Sequence, residues 1–174
     1  HFDVVSVGAS VNVIMAAVLA RGRTVLTNVA LEPEVVAVAE MLVQMGAVIQ
    51  GIGTTTLQID GVEKLQPVQA VTIPDRIEAA TYLIAAAATQ GDVTLHNVRA
   101  DHMTAILHAL HQSGATVQQT GTSVRVCMDT TPAAVDITAA PYPGFPTDAQ
   151  AQWAAYMLTA NGSATITDTI YPTR

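Results

Sequence analysis

The amino-acid sequence predicts an α/β (α+β) protein that is built from repeats of one small unit. Three stretches, 6–29, 72–98 and 144–170, share one plan: a short loop, an Ala-rich apolar helix, a glycine and an alternating strand. We call these stretches the first, second and third copies. After each of the first two, an amphipathic helix ends at a glycine and a hairpin follows. The unit is therefore strand–helix–strand–helix–strand–strand (βαβαββ), present as two near-complete units and half of a third.

The periodicity of the helices supports this plan. After Pro33, a residue favoured in the first turn of a helix, apolar residues recur at helical spacing until the next glycine. The stretch 101–114 repeats the pattern. Gly22, Gly91 and Gly162 are expected to take the left-handed conformation that ends a helix. Each of these glycines is followed six residues later by a short polar residue, Asn28, Asn97 and Asp168.

The composition limits the possible classes of function. Half of the residues are apolar and only 4% are aromatic, which favours aliphatic packing between helices and sheets. The net charge of −7 and the scattered basic residues argue against a nucleic-acid partner. The single cysteine, Cys127, lies in an alternating strand, where it would serve as a small apolar residue. No apolar run is long enough for a membrane span, and no signal-peptide pattern occurs, so we expect a cytoplasmic protein without a membrane partner. Because the chain begins without Met, we expect it to be an excerpt of a longer protein.

The loop that enters the first Ala-rich helix, SVGAS, is one candidate functional segment. Gly8 would let the backbone approach a ligand closely, and Ser6 and Ser10 carry hydroxyl donors. The exposed N–H groups of a helix N-terminus suit a phosphate or a carboxylate. Simple capping of the helix is the alternative, and the residues leave both open.

The equivalent loops of the other two copies carry carboxylates. The segment TIPDRIE contains Asp75 and Arg76, which would form a local ion pair in the first turn of a helix or line a site. In PYPGFPTDAQAQ, Asp148 follows three prolines and is a candidate N-cap. A carboxylate held in this way could also act as general base toward a sugar hydroxyl. Arg174 could bind a carboxylate or phosphate through two of its nitrogens.

The histidines do not predict a metal site. His108 and His111 are three residues apart on one helix, but His102 lies roughly 120° away around the helix axis. Without a P-loop or a dinucleotide motif, we also predict no cofactor.

Five segments together resemble the UDP-N-acetylglucosamine enolpyruvyl transferases (1-carboxyvinyltransferases). They are SVGAS, EPEVV, TIPDRIEAATYL, YPGFPTDAQAQ and TDTIYPTR, in this order and across essentially the whole chain. The resemblance implies two globular domains, each an inside-out α/β assembly of three similar units, with the active site in the cleft between them. Residues 1–73 would form the last repeat unit of one domain. Residues 74–174 would form the first unit of the second domain and the start of its next unit.

The resemblance also implies a reaction and its participants. The enolpyruvyl group of phosphoenolpyruvate would move to the 3-hydroxyl of UDP-N-acetylglucosamine with release of phosphate. This transferase step belongs to peptidoglycan synthesis, and so to cell wall biogenesis, cell shape, the cell cycle and cell division. The two substrates and the remainder of the parent chain would be the partners.

The roles of single residues are carried over by motif. Asp148 would hydrogen-bond the sugar 3-hydroxyl and act as its base. The other implied contacts to the nucleotide sugar are Val4, Val5, Ser6, Val7, Gly8 and Ile170. Arg174 would face the carboxylate of phosphoenolpyruvate, and Asp75 and Arg76 would lie near the cleft.

The sequence departs from the family in ways that limit what this chain can do. Val4 stands where some members have lysine, and Leu31 stands where REPE or KEPE is usual. The loop with the general-acid cysteine, the N-terminal lysine and several arginines have no counterpart, and Cys127 does not match that loop. We therefore expect the chain alone to be catalytically inactive. Two alternatives are a shikimate-phosphate enolpyruvyl transferase, against which FPTDAQAQ argues, and a non-enzymatic repeat module with a structural or binding role.

Overall fold

Residues His1–Ile73 and Pro74–Arg174 form separate units, which we call unit 1 and unit 2. A computed structural model of the protein describes residues 1–171. Each unit has a hydrophobic core of its own. None of the described helices is both long and apolar enough to cross a bilayer.

Unit 1 alternates helices and strands. In chain order these are α1 (Val7–Ala17), β1 (Arg23–Thr27), α2 (Pro33–Gln44), β2 (Val48–Gln50) and β3 (Thr56–Asp60). The strands form one antiparallel sheet in the order β1-β3-β2. Its core side chains come from the sheet and from both helices, and include Ile14, Leu26, Val35, Leu42, Leu57 and Ile59.

Unit 2 first repeats this order and then begins another unit. Its first elements are α3 (Arg76–Ala88), β4 (Asp92–Leu95), α4 (Thr104–Gln112), β5 (Thr116–Thr120) and β6 (Ser123–Cys127). Their strands have the order β4-β6-β5, the same as in unit 1. The remaining elements are β7 (Ile137–Ala139), which precedes the third copy, and α5 (Gln150–Met157) and β8 (Ile166–Asp168) within it, and β7 pairs in parallel with β8. The α/β repeat predicted from the sequence is thereby confirmed.

Within the part of the chain that the structure describes, the leading strand of the βαβαββ unit is formed only ahead of the third copy. There it is β7, whereas 61–75, which precedes α3, contains neither helix nor strand. The backbone N–H groups at the start of this segment are committed to unit 1. Val62 donates to the carbonyl of Val18 and Gln66 to that of Met45, both at 2.8 Å. These two N–H groups are therefore satisfied outside any strand ladder.

The glycine that ends the second copy's helix does not have the predicted conformation. Gly22 and Gly162 have φ values of +89° and +112°, as expected. In the second copy the left-handed residue is Gln90, with φ of +53°, one position before Gly91. The N–H of Gly91 donates instead to the carbonyl of Ala86 at 2.8 Å, so the turn closes one residue earlier.

The small side chains of α3 let this helix pack closely in unit 2. Four of its alanines, Ala79, Ala80, Ala86 and Ala87, are buried together with Leu83 and Ile84, and the helix contacts β4, β6 and α5. On α5, the Trp153 ring packs edge to face against Phe145 and Tyr156, with ring centroids 5.6 and 5.2 Å apart. The Tyr156 hydroxyl lies 2.7 Å from the hydroxyl oxygen of Ser113, which satisfies a polar group inside the core.

The corresponding face of α1 is exposed. Met15, on this apolar helix, and Leu19, in the turn that follows its end at Ala17, are 45% and 53% exposed. The counterpart of Met15 in the second copy is Ile84, which is 1% exposed in the unit where α5 packs against α3. The same face of the repeat is thus covered in unit 2 and uncovered in unit 1.

The core of unit 2 leads to a test of its packing. We expect Leu110→Ala to lower the free energy of unfolding by about 2–5 kcal/mol, because it opens a cavity at a fully buried site. The measurement is urea unfolding of the chain followed by the fluorescence of Trp153, the only tryptophan in the sequence. Leu158→Ala is the matched control, since this leucine is 88% exposed. Equal unfolding midpoints for the two variants would contradict the described core.

Candidate functional site

The N-terminus of α1 has two backbone donors without an acceptor inside the helix. Ser6 is its N-cap, with its hydroxyl oxygen accepting from the N–H of Ala9 at 3.2 Å. The N–H groups of Val7 and Gly8 belong to the first turn and point out of the helix end. This first turn contains no acidic residue, whereas α2 and α3 carry Glu34 and Glu78 there. The positive end of the α1 dipole is therefore not neutralised within its own first turn.

The residues around Gly8 leave room for a ligand. A Cβ added to Gly8 would meet no atom within 4 Å, so the described fold does not itself require glycine there. Val4 is 75% exposed, and Val5 is half-buried. Ser10, which the sequence suggested as a hydroxyl donor to a ligand, is fully buried, and its oxygen accepts from the N–H of Ala30 at 3.0 Å. That role of Ser10 was wrong, because the side chain ties α1 to the loop after β1.

Asp75 and Arg76 begin α3 in unit 2. The carboxylate of Asp75 caps the helix by accepting from the N–H groups of Ile77 and Glu78 at 2.8 and 3.1 Å. The guanidinium carbon of Arg76 lies 5.6 Å from the centroid of the Tyr142 ring, within cation–π range. Arg76 therefore contacts the proline-rich loop that leads to Asp148.

The proline-rich loop is held at several points. The Tyr142 hydroxyl donates to the backbone oxygen of Asp101 at 3.3 Å, and the Tyr142–Pro143 bond is cis. The N–H of Ala140 donates to the carbonyl of Phe145 at 3.0 Å, and the Phe145 ring is buried in the core of unit 2. These contacts fix the approach to Asp148 more firmly than the prolines alone would.

The Asp101 carboxylate beside this loop is strongly stabilised in its charged form. The Arg99 guanidinium donates to both of its oxygens, at 2.9 and 2.6 Å. This hydrogen-bonded pair lowers the pKa of Asp101 to about 2. Its contribution to stability is complete above the ordinary pKa of an aspartate, and it is lost as the pH falls through the lowered pKa.

Asp148 does not cap a helix, contrary to the prediction from the sequence. It is the middle residue of a 3-10 turn, Thr147–Ala149, and α5 begins only at Gln150 without a side-chain cap. The residue is exposed, and among the described residues its carboxylate has no hydrogen-bond partner. The 3-10 turn makes the helix start too late for Asp148 to reach the N–H groups that an N-cap serves.

A contact that the sequence did not predict joins this turn to the end of β8. The Thr147 hydroxyl donates to Oδ2 of Asp168 at 2.7 Å. The other carboxylate oxygen, Oδ1, accepts from the N–H groups of Ile170 and Tyr171 at 2.8 and 3.0 Å. The available signal was that Asp168 takes the place of Asn28 and Asn97 in the sister copies.

The structure gathers the predicted residues into two groups. Val4–Gly8 cluster at the start of α1 in unit 1. Asp148 and Ile170 are linked through the Thr147–Asp168 contact in unit 2, and Arg76 lies against the same loop. Arg174 lies outside the described residues. His108 and His111 face an open groove of about 370 Å³, and no metal-binding group of His, Cys, Asp or Glu occurs in residues 1–171.

Known proteins resemble this chain in sequence and in fold. The UDP-N-acetylglucosamine 1-carboxyvinyltransferase of Chloroherpeton thalassium is 51% identical over 173 residues, and UDP-N-acetylglucosamine 1-carboxyvinyltransferase 2 of Geobacillus kaustophilus is 48% identical over 172. Each alignment covers 99% of this chain and 40% of the relative, so the chain spans about 40% of their length. The crystal structure of the enolpyruvyl transferase NikO from Streptomyces tendae matches with a TM-score of 0.83 at 24% identity. That match covers 96% of this chain and 40% of NikO, and it confirms the enolpyruvyl transferase fold.

A family model covers nearly the whole sequence as well. The model described as EPSP synthase (3-phosphoshikimate 1-carboxyvinyltransferase) matches residues 1–173. The fold and the sequence relationships agree over the same residues. The chain therefore belongs to the EPSP synthase (3-phosphoshikimate 1-carboxyvinyltransferase) family.

Proposed function

We propose that the protein containing this chain transfers the enolpyruvyl group of phosphoenolpyruvate to the 3-hydroxyl of UDP-N-acetylglucosamine, with release of phosphate. Two relatives named for a carboxyvinyl transfer involving UDP-N-acetylglucosamine are 51% and 48% identical over nearly the whole chain. In this proposal residues 1–73 form the last repeat unit of one domain. Residues 74–174 form the first unit of the second domain and the start of its next unit. The protein acts in the cytoplasm, in the synthesis of peptidoglycan precursors that cell-wall growth and cell division require.

The observation that carries the proposal is the state of Asp148. The equivalent loops of the first and second copies use Ser6 and Asp75 to cap their helices. The third copy instead presents an exposed carboxylate that caps nothing, on a turn whose next residue, Ala149, is buried. A carboxylate held on a fixed backbone and open to solvent suits a general base.

The N-terminus of α1 supplies a site for the diphosphate of the nucleotide sugar. The N–H groups of Val7 and Gly8 would bind phosphate oxygens, and the helix dipole would favour their negative charge. Ser6 accepts from Ala9 through a lone pair and retains its hydroxyl proton for a ligand. Val4 and Val5 precede this turn and would contact the uridine.

In this proposal some of the groups that catalyse the reaction belong to this chain and others to the rest of the polypeptide. Asp148 would take the proton of the sugar 3-hydroxyl, whose oxygen adds to the central carbon of phosphoenolpyruvate. Ile170 would contact the sugar and Arg174 the phosphoenolpyruvate carboxylate. The proton for the methylene carbon and most of the groups that bind phosphate must come from outside these 174 residues. The chain alone should therefore not catalyse the reaction.

Asp148→Asn in the full-length protein tests the base. We expect turnover to fall by about a hundredfold or more, which is the usual contribution of a general base. We expect the melting temperature to stay within about a degree of wild type, since an exposed side chain without partners contributes little to stability. Phosphate release measures the first quantity and calorimetry the second.

Asp129→Asn is the control for this variant. It also neutralises an exposed aspartate of unit 2, and it should leave turnover unchanged. If Asp148→Asn turned over as fast as this control, Asp148 would not be the base.

Gly8→Ala separates folding from ligand binding. Alanine is the better helix former by about 0.8–1 kcal/mol, so the variant should melt at a higher temperature. The added methyl group would crowd the diphosphate, and we expect the dissociation constant of UDP-N-acetylglucosamine to rise by about tenfold. Val13→Ala, later on α1, should stabilise the helix without changing the affinity. If Gly8→Ala bound the nucleotide sugar as tightly as wild type, the proposed site at the N-terminus of α1 would be contradicted.

A second candidate substrate follows from the family description, which names 3-phosphoshikimate. A competition assay with both acceptors and phosphoenolpyruvate on the full-length protein separates the two. We expect product from UDP-N-acetylglucosamine alone, in keeping with the names of the relatives. Product from 3-phosphoshikimate would overturn the assignment of the acceptor, and no product from either would favour a non-enzymatic module.

A further inference from the structure

We propose that Asp168 is a positioning residue that holds the candidate base Asp148 and the sugar contact Ile170 in one arrangement. The inference rests on the proposed function and adds a residue to it. Asp168 does not itself touch a reacting atom in this proposal. It acts through Thr147 on one side and through the backbone of 170–171 on the other.

The hydrogen bonds of Asp168 use both carboxylate oxygens. Oδ2 accepts from the Thr147 hydroxyl at 2.7 Å, and Oδ1 accepts from two backbone N–H groups at 2.8 and 3.0 Å. Hydrogen bonds to a charged acceptor are stronger than those between neutral groups. The backbone pair forms an Asx-type turn, which fixes the chain direction immediately after β8. One side chain thereby joins two segments that are 21 residues apart.

The effect on Asp148 follows from its neighbours in the 3-10 turn. Thr147, which precedes it, is tied to Asp168. Ala149, which follows it, is fully buried, and its N–H donates to the carbonyl of Pro146 at 3.0 Å. The backbone of Asp148 is thus fixed from both sides, while the carboxylate remains exposed. Loss of the Thr147 contact would release one of these two restraints.

The sister copies show that this arrangement is particular to the third copy. Asn28 and Asn97, at the equivalent positions, have left-handed φ values of +62° and +56°. The Asn28 amide donates to the carbonyl of Phe2 at 2.9 Å. Asp168 instead ends a strand without a left-handed φ, and among the described residues it accepts from the Thr147 hydroxyl and from the N–H groups of 170 and 171. The repeat alone would place a turn residue here, so the acidic side chain reflects the neighbouring loop with Asp148.

The test uses steady-state kinetics of the full-length protein with phosphoenolpyruvate and UDP-N-acetylglucosamine. Thr147→Val keeps the shape of the side chain and removes its hydroxyl, so kcat should fall by about ten- to a hundredfold as the base loses its position. The KM for the nucleotide sugar should change by less than about twofold, because the turn at Ile170 remains. Asp168→Ala removes both links, so it should lower kcat to a similar degree and also raise that KM.

Two further variants separate positioning from charge and from general destabilisation. Asp168→Asn can keep the backbone contacts through its amide oxygen and can donate to Thr147, so its kcat should lie within about threefold of wild type. Asp136→Ala is the matched control, since Asp136 also bonds a backbone N–H of the third copy, that of Thr165 at 2.6 Å. We expect it to leave kcat and KM unchanged. The double variant Thr147→Val/Asp168→Ala should have the kcat of Asp168→Ala alone, because the two groups act as one link.

Two results would overturn the proposal. One is an Asp168→Ala enzyme that is as active as Asp136→Ala. The other is an Asp168→Asn enzyme as impaired as Asp168→Ala, which would mean that the charge matters rather than the geometry. If the wild-type protein itself shows no turnover, the proposed function fails, and amide hydrogen exchange at 147–149 then tests the restraint directly. Faster exchange in Asp168→Ala than in Asp136→Ala supports the positioning role, and equal exchange rejects it.

Discussion

The close approach of α3 to its sheet is the constraint on which unit 2 depends. The buried alanines of this helix leave room for α5 on a second side, so α3 contacts β4, β6 and α5 at once. The Gln152 amide on α5 donates to the Thr81 hydroxyl on α3 at 3.0 Å, which gives the two helices a fixed register. The loop before α5 carries Asp148 and packs through Phe145 on the same core. A larger residue on α3 would displace the whole third copy, and the candidate base with it.

The helix-entry loops of the three copies differ in a few polar side chains. Ser6 and Asp75 both cap a helix, yet α3 carries Glu78 in its first turn whereas α1 has no acid there and so suits an anion. Asp148 does not cap a helix. Asp168 accepts a hydrogen bond from Thr147, at a position where the other two copies have a left-handed asparagine. A repeated scaffold can thus hold different chemistry at equivalent positions, because the core that positions each loop stays the same.

Periodicity was enough to predict the helices, the hairpins and the repeated α/β order, since these follow from local patterns of apolar residues. The errors occurred where local rules compete. The second copy turns at Gln90 rather than at Gly91, and a 3-10 turn moves the start of α5 beyond Asp148. The contact between Thr147 and Asp168 could not be predicted from the sequence, because it depends on how two segments meet in space. The site residues came from the family motifs, which carry no such geometry.

The uncovered face of α1 has a consequence for the chain in solution. Met15 on α1 and Leu19 in the turn after it present apolar side chains to solvent, and exposed apolar patches promote association between molecules. The net charge of −7 opposes that association through mutual repulsion. Added salt shortens the range of the repulsion and leaves the apolar attraction in place. The colloidal stability of these 174 residues on their own should therefore be greatest in dilute buffer and should decline as ionic strength rises.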